Sequence, residues 1–249
     1  MPRYFITLSY NGKNYVGWQV QPNGLSVQQV LQDALSTILR EKVEIVGAGR
    51  TDAGVHARKM IAHFDWDGDI FAADDLVHKL NNFLPKDISI FTIQQVRSDA
   101  HARFSATSRT YSYHITTIKD PFLHELTYRL HFVPDMERMN ALCTVLKEYE
   151  DFTSFSKLHT DVKTNHCRIE IARWEKKGDT YIFTIRADRF LRNMVRAITG
   201  TLLEAGRGRL DERGLRRIIE AENRQVAGDS VPGHALFLED VSYPEDIWL

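Results

Sequence analysis

Long apolar runs are missing from this 249-residue chain. Those present are short and broken by charge, which excludes a membrane-spanning helix of about 20 residues. The opening stretch, MPRYFITLSYNGKNY, has neither the apolar core nor the small-residue cleavage site of a secretory leader, and reads as a first strand. Cysteine is scarce. Cys143 and Cys167 are too few for a disulfide framework, and neither has a Cys or His at metal-finger spacing. His166 adjoins Cys167, but adjacent side chains rarely ligate one ion. No metal site is expected, and the setting expected is a reducing cytoplasm. Low-complexity segments are absent too. Net charge is nearly absent at −1, which points to no particular partner.

That balance hides segregation. Nine arginines face four acids between Arg186 and Arg217, whereas residues 218–249 hold seven acids and one arginine. Residues 65–75 hold five aspartates and no cation. A basic stripe can bind a polyanion even when the total is neutral, although ordinary solvated helix faces produce the same pattern.

Hydrophobic residues make up 43% of the chain, enough for one large core or two modest ones. RYFITLSY at 3–10 alternates as a strand does. Asn11-Gly12, Gly17 and Pro22-Asn23-Gly24 mark a long loop. Ser26-Val27-Gln28-Gln29 has capping-box form, and Val27, Val30, Leu31, Ala34, Leu35, Ile38 and Leu39 follow at helical spacing, predicting a helix over 26–40. Strands are expected at 42–48, 59–66, 88–97, 108–117, 165–177, 180–188 and 235–241. Helices are expected at 73–83, from Asp135 to about Tyr149, over 190–205 and from Asp211. Lys177-Gly178-Asp179 reads as a hairpin turn. Strands joined by hairpins rather than by strict βαβ alternation predict an α+β fold with largely antiparallel sheet. A boundary near 98–107 divides it into halves, 1–105 and 106–249.

One loop stands out. Residues 47–57 read GAGRTDAGVHA, with Arg50, Thr51, Asp52 and His56 among three glycines. The spacing fits no phosphate-binding glycine motif. A lone Asp-x-Gly ordinarily marks a turn whose carboxylate bonds its own backbone, so the residues alone leave a structural and a chemical role open for Asp52.

GRTDAGVHA at 49–57 resembles the signature of the tRNA pseudouridine synthases of the TruA family. Tyr15-Val16-Gly17-Trp18-Gln19 resembles the family's early YxGWQ stretch, and Ser26-Val27-Gln28 its helix start. His101-Ala102-Arg103-Phe104-Ser105-Ala106 resembles its HARFSA segment, with Tyr111 and Tyr113 following. Asp151 to Phe155 and Met194-Val195-Arg196 complete a set that spans most of the chain in order. The resemblance implies the pseudouridine synthase fold, two α/β halves flanking a central RNA-binding cleft. It implies isomerisation of uridine to pseudouridine at positions 38, 39 and 40 of the tRNA anticodon stem-loop, in a homodimer that needs no cofactor.

By that resemblance Asp52 is the catalytic carboxylate, Arg196 pairs with it, and Tyr111 stacks on the flipped base; Arg50 is assigned to RNA backbone or loop packing. On residues alone, Tyr111 could be plain core, and Arg192 and Arg196, one turn apart at a helix edge, could be surface cations. His101, Arg103, Phe104 and Arg109 interleave cations with an aromatic ring, as a phosphate-and-stacking surface requires. Residues 157–177 add Lys163 and Arg168, and the resemblance makes both regions and Arg192 part of the tRNA surface. Three stretches depart from the family pattern: Ala197 after Met194-Val195-Arg196, Pro232 to Phe237, and His56-Ala57-Arg58. A glycoside hydrolase would want a second carboxylate facing the sugar, and none is evident. A non-catalytic RNA-binding module is the other rival.

Overall fold

RYFITLSY does form a strand, β1 (Arg3–Tyr10), and burial on both faces shows why it is so apolar: Phe5, Ile6, Leu8 and Tyr10 are all covered. The structure, a computed structural model, describes residues 1–67, 73–157 and 164–249. After β1 come α1 (Val27–Leu39), β2 (Val46–Gly47), β3 (His56–Asp65), α2 (Ala73–Phe83) and β4 (Ile88–Val96). β1 lies between β3 and β4, antiparallel to both, with Arg3 opposite Asp65 and Phe5 opposite His63. That register sets opposite charges side by side. Arg3 Nε and Nη2 meet the two Asp65 oxygens at 2.7 and 2.8 Å, a bidentate pair.

The capping box is partly realised. The buried Ser26 hydroxyl accepts from Gln29 N–H at 3.2 Å, and Val27, Leu31, Ala34 and Leu35 form the buried stripe of α1. Residues 42–45 were expected to belong to a strand and do not. Val43 and Ile45 are buried in alternation, but their backbone bonds to α1 side chains instead of a ladder. Val43 N–H donates to Ser36 Oγ, Ile45 N–H to Gln32 Oε1, and the Ile45 carbonyl accepts from Gln28 Nε2. Within 42–48 the strand is confined to Val46 and Gly47, which pair with β3.

The next strands and helices are β5 (Ser108–Thr116), β6 (Tyr128–Arg129), α3 (Met136–Leu146), β7 (Ile169–Lys177), β8 (Thr180–Ala187), α4 (Met194–Gly206) and α5 (Glu212–Glu220). β8 runs antiparallel between β5 and β7, and β6 adds a short parallel pairing to β5. Asp135 and Asp211 cap α3 and α5 as read from the sequence. Residues 165–168 were expected to open β7. They bridge back to 150–152 instead, through Phe152 N–H to Asn165 O and Cys167 N–H to Glu150 O.

The helix expected at 190–205 begins only at Met194, because Asn193 takes a left-handed conformation at φ 68°. α4 is buried almost all round, as a central helix is. Leu191, just ahead of it, and Met194, Val195, Ile198 and Leu202 within it are buried. Arg192 precedes the helix, so it and Arg196 are not one helical turn apart.

The last strand, β9 (Leu236–Ser242), pairs parallel with β3 through Phe237 and Leu238. The chain thus forms two compact units, Met1–Thr107 with Phe237–Leu249, and Ser108–Leu236. The sequence reading placed the whole of 106–249 in one half; the structure returns the last 13 residues to the first unit. There Trp248 and Tyr243 set their edges against Phe5, at 5.6 and 5.1 Å between centroids. The α+β, mostly antiparallel architecture expected from the pattern of strands and hairpins holds in both units.

Replacing Ser26 by Ala leaves the Gln29 N–H without its partner at a part-buried helix start. Stability should fall by about 1 kcal/mol, read as a lower urea midpoint at unchanged slope.

Candidate active site

The Asp52 loop is held on both sides. Thr51 is buried: its hydroxyl meets Tyr10 Oη at 2.9 Å, and its carbonyl accepts from Trp18 N–H at 3.3 Å. Asp52 closes a turn through its carbonyl, which accepts from Val55 N–H at 3.2 Å. Gly54, third in that turn, has φ 76°, where a side chain would be strained, and its N–H donates to Tyr15 O at 3.3 Å. The opposing backbone comes from YVGWQ. Gly17 has φ 115°, and a Cβ there would collide with the Thr51 carbonyl. The early motif is therefore the seat of the later one: its glycine lets Trp18 reach the residue next to Asp52. Tyr15 is fixed in turn by its phenol, which donates to Asp87 at 2.6 Å. Burial, and then that carboxylate, push the phenol's pKa up.

His56, the other titratable residue of the motif, has a structural place. It is 2% exposed, accepts from Gly12 N–H at Nδ1 (3.0 Å), and stacks on Phe237 at 4.7 Å. Arg50 is exposed on the loop and makes no hydrogen bond or ion pair among the described residues.

The HARFSA segment is bound to the same unit by three anchors. Arg3 Nη1 donates to Ala100 O at 2.8 Å, Ala102 N–H to His63 Nδ1 at 3.1 Å, and Tyr243 Oη to Ala102 O at 2.5 Å. His101 builds the turn itself. Its Nδ1 accepts from the N–H groups of Arg103 and Phe104, at 3.1 and 3.3 Å. Its ring lies 4.6 Å from His63 and 4.4 Å from Phe104. Phe104 is 76% exposed, with the Arg103 guanidinium 5.6 Å from its centroid. The ring is thus exposed on a turn that is itself fixed by hydrogen bonds. Arg3, Asp65, His63 and Tyr243, which hold it there, carried no motif signal; only the alternation of β1 and β3 could have placed Arg3 opposite Asp65.

In the second unit Tyr111 and Tyr113 part company. Tyr113 is wholly buried, its hydroxyl donating to Pro232 O at 2.9 Å, and burial pushes its pKa up. Tyr111 is half-buried and edge-on to Phe190, 5.2 Å between centroids. Arg196 is half-buried at the start of α4. Its Nε donates to Val231 O at 2.7 Å, and its carbonyl accepts from Val231 N–H. Arg109 donates to Asp188 O at 2.8 Å. Arg168 is exposed, 3.6 Å from Glu170, while its backbone N–H donates to the Asp188 carboxylate. Arg192 is exposed. Lys163 lies outside the described residues.

A family model described as tRNA pseudouridine synthase matches residues 6–105 and 149–244. The chain belongs to the tRNA pseudouridine synthase family. It is similar over its full length to "tRNA pseudouridine synthase A" of Parabacteroides distasonis, at 63% identity and covering 98% of that protein. The Porphyromonas gingivalis protein of the same name is 55% identical with both chains fully covered. That of Exiguobacterium sibiricum is 36% identical, with 98% of each chain covered. Pseudouridine synthases are isomerases, and so is this member. Asp52, Arg50, His101, Arg103, Phe104, Arg168, Arg192 and Arg196 fall within the matched segments; Arg109 and Tyr111 lie between them.

The HARFSA anchor carries a pH dependence. Burial, then the Arg3 and His101 charges, lower the His63 pKa from 6.5 to about 4. On acidification the unfolded chain takes up this proton near pH 6.5, while the folded chain resists until about pH 4, so stability falls across that window. His63→Gln, whose side-chain oxygen can still accept from Ala102, should lose less stability than the parent between pH 7 and pH 5 in urea titrations.

Proposed function

We propose that this chain isomerises uridine to pseudouridine at positions 38, 39 and 40 in the anticodon stem-loop of tRNA, with Asp52 as the catalytic carboxylate. The reaction breaks N1–C1′ and forms C5–C1′. The proton on C5 is lost to solvent and N1 gains one, so nothing is oxidised and no group is carried away. A single carboxylate suffices, by covalent attack on sugar or base or by taking a sugar proton to give a glycal. The observation that carries the reading is the seat of Asp52, a half-buried carboxylate on a loop bound by backbone on both sides within a matched family segment.

Arg196 serves as the cation that pairs with this carboxylate when a substrate excludes water. Its Nε bond to Val231 fixes the plane of the guanidinium, which supports the assignment. Tyr111 stacks on the flipped base and offsets part of the stacking that flipping costs. His101, Arg103, Phe104, Arg109, Lys163, Arg168, Arg192 and Arg50 hold the RNA, mostly through its backbone, since reading three neighbouring positions requires shape rather than base edges. The working form is a homodimer in the cytoplasm.

An unmodified tRNA tritiated at C5 of uridine tests this without added cofactor. The parent should release tritium; Asp52→Ala should release none and still bind tRNA. Arg196→Ala should slow release at least about tenfold, with partial recovery in Arg196→Lys. Freed uracil would make the chain a hydrolase, and tRNA binding without tritium release by the parent would make it a binding module.

A further inference from the structure

The three glycines before and after Asp52 differ in what the fold asks of them. A Cβ on Gly47 would collide with the Trp18 indole, and Gly54 needs its left-handed φ to close the turn. Gly49 has neither reason. Its φ is not positive, and among the described residues no atom beyond its chain neighbours comes within 4 Å of where its Cβ would stand. Its backbone also makes no hydrogen bond among the described residues, and neither does that of Arg50. The two residues bridge fixed points. Ala48 is buried with its N–H on Ile61 O at 2.8 Å, and Thr51 is held by Tyr10 and Trp18. The result is a short span of bare main chain, two residues from Asp52 at its near end, with no hydrogen bond to its peptide groups among the described residues and space beside Gly49.

We propose that Gly49 is a positioning residue whose missing side chain admits the sugar–phosphate chain of the RNA directly against the main chain of Gly49 and Arg50. The ligand class is a phosphodiester next to the target nucleotide. Two unclaimed N–H donors with an exposed guanidinium beside them suit that group, since phosphate oxygens are commonly bound by backbone N–H and arginine together. A methyl at Gly49 would stand where the RNA backbone passes and hold the nucleotide off its reacting distance. This rests on the function proposed above.

Gly49→Ala separates this role from a structural one. Alanine is tolerated at a non-positive φ and should leave thermal stability unchanged or slightly raised, while Gly47→Ala and Gly54→Ala should both lower it. In the tritium-release assay Gly49→Ala should raise KM for tRNA and lower kcat/KM by about tenfold to a hundredfold, the scale of a 1 Å misplacement. Gly49→Val should be worse at similar stability. A Gly49→Ala protein with parental KM and kcat would overturn the proposal. So would one that loses stability as the other two do, because the space beside Gly49 would then not be open. If the parent neither binds nor modifies tRNA, it is the proposed function that fails.

Discussion

The structure of the site depends on one constraint: the peptide groups flanking Asp52 are hydrogen-bonded by a different part of the chain. Trp18 N–H on Thr51 O and Gly54 N–H on Tyr15 O leave the aspartate's backbone little freedom. A carboxylate that acts alone gains most from such rigidity. In the reaction proposed above, its reach to a sugar carbon or proton would be set before substrate arrives, with no reorganisation needed as charge develops. The surrounding aromatic residues serve this end. Tyr10, Tyr15 and Trp18 are all buried, and each touches the loop through hydroxyl or backbone.

How much of this could be read beforehand varied with the physics behind each signal. α1 was plain because its capping serine and its apolar spacing agree and its partners are local. Segment 42–45 misled because an alternating apolar pattern shows which residues are buried, not what their backbone bonds to; here glutamine and serine side chains of α1 take the place of a neighbouring strand. The start of α4 misled for a similar reason. Periodicity runs through Leu191, but Asn193 turns left-handed, a local choice that spacing does not report. At the site, the motifs named the residues and left their division of labour open. His56 and Gly17, inside those motifs, turn out to be part of the frame. Arg3, Asp65 and His63, outside them, hold the turn that presents Phe104. No local pattern could tell that a residue at position 3 would anchor residue 100.

His63 and His101 show how the same side chain can be chosen for what it accepts rather than for what it donates. Each uses Nδ1 as an acceptor for backbone N–H groups, so each must stay neutral there. Burial comes first among the causes that lower both pKa values, with Arg3 adding to it. The same arginine that ties Ala100 down thus also keeps protons off the rings beside it.

The return of residues 237–249 to the first unit has a bearing on how the protein is made. Synthesis runs from the amino end, so β1, β3 and β4 emerge long before Phe237 can pair with His56 or Trp248 can cover Phe5. Until residues 237–249 have been made, the earliest-made strands lack the Trp248 edge against Phe5 and the β9 pairing at β3. The Tyr243 bond to Ala102 is then among the last to form. A nascent chain therefore carries its Asp52 loop through the making of most of these residues without the finished turn that bears Phe104, and the two parts are complete together only after Tyr243 has been added.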